Sequence, residues 1–193
     1  MTERDARDLI YNLLYAMPLA VQIPMVVHRA LAGDLDAFAE PPPGPGEIPR
    51  GVFLSLLCSE ELARVDRTRV AEAARGSFFG EWPLRQQLAW CDAWPKGNLA
   101  ESFWQPVVSD APALVMTGAF DSTTPPRYGE VAARTLRRAT TIVLPNRAHN
   151  DVDACVMDLV QQVVSRGTAD GLDTSCVPKT PPLRFPTTPP GRR

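Results

Sequence analysis

Residues Ala111–Asn150 read APALVMTGAFDSTTPPRYGEVAARTLRRATTIVLPNRAHN, and this stretch decides the fold. Ala113–Met116 (ALVM) is a continuous apolar run, set off by Pro112 before it and Thr117-Gly118 after it. An apolar run without alternation suits a strand buried on both faces, as in a parallel sheet. Thr124-Pro125-Pro126 then opens a helix, because proline fits the first turn, where its missing N–H is not needed. Tyr128, Val131, Ala132 and Thr135 or Leu136 give that helix one apolar face. Thr141–Leu144 (TIVL) is a second buried strand. Just beyond the quoted stretch, Asp151 or Asp153 caps a helix with Val152, Cys155, Val156, Leu159, Val160 and Val163 on one stripe, and Gly167 ends it. Strand, helix, strand, helix is the repeat of a doubly wound parallel sheet.

In open parallel sheets, functional groups collect beyond the carboxyl ends of the strands. Asp121 lies just past ALVM and His149 just past TIVL, so adjacent parallel strands place their loops side by side. An Asp there accepts the imidazole Nδ1–H, fixes the tautomer and leaves Nε2 free as a base. Each residue alone has a plainer reading: the Asp as a turn or cap residue, the His as a surface residue between strand and helix. Their order, at successive strand ends, favours the acid and base of a catalytic triad. Asp151 and Asp153 are also near enough in sequence to reach His149.

Upstream, Asp5–Ala32 reads as helix from the spacing of Leu9, Ile10, Leu13, Leu14 and Met17, broken at Pro18 and Pro24 and stopped at Gly33. His28, beside Val26 and Val27, reads as structural. Ala39–Gly51 (AEPPPGPGEIPRG) holds too much Pro and Gly for helix or sheet. Gly51–Leu57 (GVFLSLL) reads as a short strand. Asp66 caps a short helix to about Arg75, and Pro83 opens another with Leu84, Leu88 and Cys91 on one face. Phe78, Phe79, Trp82, Trp90, Trp94, Phe103 and Trp104 fall close together. They are expected to form the core of a helical subdomain, the alternative being the lining of an apolar pocket. The expected domains are a helical cap-like region over 1–110 with a Pro-rich loop at 40–50, the strand–helix segment over 111–176, and a Pro-rich disordered tail over 177–193.

The 193 residues suffice for one core-bearing domain, and 45% hydrophobic content is ordinary for one. Twenty Lys+Arg against 22 Asp+Glu leave a net charge of −2, without the basic patch that nucleic acid or an anionic membrane would require. No apolar run approaches the roughly 18 residues that span a bilayer. MTERDARDLIYNLL has no signal-peptide apolar region. The 4 cysteines, Cys58, Cys91, Cys155 and Cys176, lack C-x-x-C pairs, and neither histidine sits at ligand spacing from them, so no metal and no cofactor is expected. Pairing Cys58 with Cys91 and Cys155 with Cys176 competes with four buried free thiols.

The run Gly118, Asp121, Thr124, Pro125, Pro126, followed by a strand into His149, resembles the C-terminal segment of α/β-hydrolases. It is most similar to the tripeptidyl-aminopeptidase-like branch of the proline iminopeptidase family. Cys155 in the next helix and Cys176 beyond it resemble that branch, as do Leu57-Cys58-Ser59-Glu60 and Cys91 with Trp94 upstream. The resemblance covers about residues 45 to 178, and D-x-x-T-P-P is its specific part. It implies the C-terminal half of an α/β-hydrolase preceded by a helical cap, with Asp121 as triad acid and His149 as triad base. It also implies peptide or amide substrates with a free N-terminus, Glu60 as the partner of that α-amino group, paired cysteines, and export. With no signal peptide in the sequence as given, the chain is expected in the cytoplasm if expressed so.

Members of the family carry a nucleophilic serine in G-x-S-x-G on a strand-to-helix turn. That pattern occurs nowhere here, and in family order it precedes the cap. Members also usually have glycines beside the histidine, where this chain has Ala148 and Asn150. The expectation is therefore a truncated serine peptidase, inactive alone and completed by a missing N-terminal half or a partner chain. The alternative is a non-catalytic peptide-binding or partner-completing module whose sheet edge demands a partner. A third reading is an active enzyme using Ser55, Ser59 or Ser77.

Overall fold

A computed structural model describes residues 2–35 and 49–187. The expected Pro-rich loop at 40–50 therefore lies almost wholly outside the described residues, as does the end of the tail. Helix α1 (Glu3–Leu13) starts from a reciprocal cap: Thr2 accepts the Asp5 N–H, and the Asp5 carboxylate accepts the Thr2 N–H. Pro18 and Pro24 break the expected long helix, and each falls in the first turn of a new one, α2 (Met17–Ala20) and α3 (Ile23–Leu31). Helix α4 (Arg50–Leu56) runs into a π-helical segment, Leu57–Glu61. Asp66 caps a 3₁₀ turn that leads into α5 (Val70–Ala73), and α6 (Trp82–Ala93) carries Pro83 in its first turn. Then come β1 (Ala113–Gly118), α7 (Pro126–Ala133), β2 (Ala139–Leu144) and α8 (Ala154–Arg166).

The chain divides into two compact units, Met1–Pro42 with Pro106–Arg193, and Pro43–Gln105. The expected helical region over 1–110 is thus divided: its first helices group with the strand–helix half. In the first unit, β1 and β2 pair in parallel, from Ala113 opposite Ala139 to Gly118 opposite Leu144. This is the short parallel sheet of a partial α/β fold. Helix α8 covers one face: Val156 and Leu159 pack with Ile142 and Leu144 of β2 and with Leu114 and Met116 of β1. Helix α7 lies on the other face of β1, so close that a Cβ at Gly129 would stand 2.6 Å from Thr117 Cγ2. β1 thus has a helix on each face, as its unbroken apolar run implies. β2 is covered less evenly: α7 reaches it as well as β1, and Ile142 and Leu144 are buried, but Val143 is 50% exposed. A separate core joins the first helices through Leu9, Leu13 and Val26.

The second unit corrects two expectations. The stretch read as a strand, Gly51–Leu57, lies in α4 and the start of the π-helical segment. Its inward residues, Leu54, Leu57 and Cys58, follow helical spacing, but Val52, Phe53 and Leu56 are apolar and exposed, so the sequence showed no period. The aromatic cluster is not the core either. Leu57, Cys58 and Cys91 form the core, with Trp94 against them, while Phe78, Trp90 and Phe103 are exposed. Trp94 donates its indole N–H to Ser55 Oγ, and Trp104 lies under the Arg64 guanidinium. Disulfides join Cys58 to Cys91 and Cys155 to Cys176.

Candidate active site

β1 ends at Gly118, and nothing larger than glycine fits there. A Cβ at Gly118 would stand 2.5 Å from the carbonyl oxygens of both Arg147 and Ala148, in the loop after β2. The chains stay stitched beyond the strands, with Ala119 N–H donating to Leu144 O and Phe120 N–H to Arg147 O. The loop bearing Asp121 is thereby laid against the loop bearing His149.

Asp121 is held by its own motif. Its Oδ1 accepts the N–H groups of Thr123 (2.8 Å) and Thr124 (2.7 Å), and its Oδ2 accepts the Thr124 hydroxyl at 2.9 Å. Pro125 and Pro126 then start α7 at once, which fixes the turn. The same Oδ2 lies 3.0 Å from His149 Nδ1. Thr124 Oγ1 is 3.2 Å from that nitrogen, so with Thr124 donating to Asp121 its oxygen is free to accept from Nδ1–H. Only 8% of Asp121 is exposed. That burial pushes its carboxyl upward, but hydrogen bonds from the Thr124 N–H, His149, the Thr124 hydroxyl and the Thr123 N–H outweigh it and hold the group below the ordinary carboxylate value.

The histidine loop takes its unusual backbone from asparagines. Asn146 and Asn150 have φ of 55° and 56°, the left-handed region that asparagine tolerates better than other side-chain-bearing residues. Asn150 thus holds a left-handed backbone that glycine would adopt more freely. The two nearby acids do not contact His149. Asp151 Oδ2 accepts the Ala148 N–H at 2.7 Å and the Met17 N–H at 3.0 Å. Asp153 caps α8 through the Val156 N–H and pairs with Arg147. The His149 N–H donates to Tyr15 O at 3.0 Å.

With Nδ1–H on a carboxylate, the neutral imidazole presents an unprotonated Nε2, the arrangement of a general base oriented by an acid. Ser55, Ser59 and Ser77 are otherwise engaged: Ser55 Oγ donates to Gly51 O, and Ser59 and Ser77 accept the N–H groups of Gly97 and Phe79. Glu60 lies half-buried on the π-helical segment of the other unit. A cleft of about 420 Å³ lies against the histidine loop, lined by Met17, Val21, Arg147, Asp151 and Pro182 among others, but by neither Asp121 nor His149. Sequence reasoning missed Tyr15 and the role of Asp151. No local pattern marks either, because their bonds join segments far apart in the chain.

The profile of TAP-like proteins matches residues 77–176, just over half of the chain. The chain belongs to the TAP-like protein family. Within this TAP-like match lie Cys91, Asp121, His149, Cys155 and Cys176, whereas Cys58 and Glu60 precede it. No curated protein and no solved structure matches the chain. The TAP-like assignment accords with the two parallel strands and their flanking helices, the C-terminal region of an α/β-hydrolase.

Proposed function

We propose that this chain supplies the acid–base half of a serine-type hydrolase that cleaves peptides or amides with a free N-terminus, as tripeptidyl aminopeptidases and proline iminopeptidases do. The contact between Asp121 Oδ2 and His149 Nδ1, at 3.0 Å, carries the proposal. His149 Nε2 takes the proton of an attacking serine hydroxyl as its oxygen bonds to the scissile carbonyl carbon. It then returns the proton to the leaving amine, while Asp121 stays ionised and stabilises the imidazolium. A carboxylate held below its ordinary value suits that role. The nucleophile comes from residues outside these 193 or from a partner chain, since the sequence contains no G-x-S-x-G. Glu60 is the carboxylate proposed for the substrate's α-amino group, on the family resemblance.

The test is turnover of aminoacyl and tripeptidyl chromogenic amides. The chain alone is expected to stay at the level of its His149→Ala variant. Turnover that disappears in His149→Ala and Asp121→Asn would show that the chain carries its own nucleophile. A peptide with a free N-terminus is expected to bind, its N-acetylated form is not, and Glu60→Gln should erase the difference. The missing nucleophile also favours a second reading, a non-catalytic module that binds peptide or completes a partner. Mixing the chain with a G-x-S-x-G-bearing half separates the two: restored turnover that needs His149 supports the hydrolase, and restored turnover indifferent to His149 supports the module.

A further inference from the structure

The turn between α1 and α2 touches both loops of the acid–base pair. Leu14 O accepts the Ser122 hydroxyl, on the acid loop, at 3.2 Å. Tyr15 O accepts the His149 N–H at 3.0 Å, and the Tyr15 ring meets the imidazole at 68°, with centroids 4.8 Å apart. Met17 donates its N–H to Asp151 Oδ2, the same oxygen that accepts the Ala148 N–H. The turn itself is anchored by helices on either side of it, through the core of Leu9, Leu13 and Val26 with Leu19 and Ile23 packed on it.

These contacts answer a specific need. The last torsion of a histidine side chain has a broad, two-fold profile, so a ring flip is cheap unless something opposes it. Asp121 and Thr124 hold only the Nδ1 side of the ring. The flank is held by Tyr15, in an edge-to-face contact of the kind worth about 0.5–1.5 kcal/mol between aromatic rings. The backbone beneath is held by the Tyr15 carbonyl. The imidazole is thereby fixed from three directions: its acid, its neighbouring ring and its own main chain.

We propose that Tyr15 is a positioning residue for His149, acting from the α1–α2 turn to keep Nδ1 on Asp121 and Nε2 open. The inference rests on the acid–base reading of His149. Its test is a nitrogen NMR measurement of the two histidines in the full chain, where His28 is the only other histidine and is assigned by a His28→Gln variant. The unsubstituted chain should show His149 as the Nδ1–H tautomer, with a downfield, exchange-protected Nδ1–H signal. Tyr15→Leu should lose that signal to a mixture of tautomers, and Tyr15→Phe, which keeps the ring, should retain it. Should Tyr15→Leu not fold, Ser122→Ala loosens the same turn without touching either ring, and its Nδ1–H should exchange about 10-fold faster as local opening becomes easier. Absence of the Nδ1–H signal in the unsubstituted chain would overturn the acid–base reading and this inference with it. Its presence there, unaltered in folded Tyr15→Leu or in Ser122→Ala, would overturn the role of Tyr15 alone.

Discussion

Thr124 bears more of the site than a turn residue would, since its hydroxyl donates to Asp121 Oδ2 and its oxygen lies within reach of His149 Nδ1. Thr124→Val keeps the shape and removes both bonds. It should cost about 1–3 kcal/mol, at the usual net worth of roughly 1 kcal/mol per hydrogen bond, seen as a lower urea midpoint at neutral pH. Asp121 makes a pH-dependent contribution of definite sign. Burial raises its carboxyl, the bonds from Thr124, His149 and Thr123 lower it by more, and the folded value lies below the ordinary 3.8. The stability it adds is therefore fully present above that ordinary value and is lost as pH falls through the depressed folded one. Asp121→Asn should flatten this acid limb in a plot of urea midpoint against pH, and an unchanged limb would refute the assignment. Both residues were legible in the sequence, because D-x-x-T-P-P builds its own turn. Tyr15 and Asp151 were not, because the Asp151 bond to Met17 spans 134 residues and leaves no local trace.

At the scale of elements, the approach of β1 to the histidine loop is the tightest constraint on the site. Gly118→Ala would drive a Cβ to within 2.5 Å of two backbone oxygens, which cannot swing aside as a side-chain tip can. The loop after β2 must shift, at a cost of about 1–3 kcal/mol typical of overpacking. The expected result is a lower melting temperature together with loss of the His149 Nδ1–H signal, whereas Gly51→Ala, with open space around it, should leave that signal intact. The strands, α7 and α8 were legible because their breakers are strong: prolines open α7, Asp153 caps α8, and Gly167 stops it at φ 63°. Helix α4 was not, because exposed Val52, Phe53 and Leu56 hid the spacing of the residues that turn inward. The half-exposed second face of β2 was equally hidden, since Val143 looks the same in sequence whether or not a helix covers it.

Across the whole molecule, each compact unit carries one disulfide, and their surroundings differ. Cys58 and Cys91 are 0% and 2% exposed, inside the core of the second unit. Cys155 and Cys176 are half-buried at the edge of the first unit's core, and Cys155 sits in the first turn of α8. A reducing thiolate attacks a disulfide sulfur directly, so access governs the order of reduction. Under native conditions, a dithiol reductant followed by alkylation should therefore give a species labelled at Cys155 and Cys176 with Cys58–Cys91 still closed. The sequence separations of 33 and 21 residues predict similar stabilisation, about 3–4 kcal/mol each in the chain-entropy picture, so loop length alone does not set that order. Peptide mapping of the alkylated protein checks it, and labelling of Cys58 and Cys91 first, or of all cysteines together, would show that the second unit opens more readily than its buried sulfurs imply.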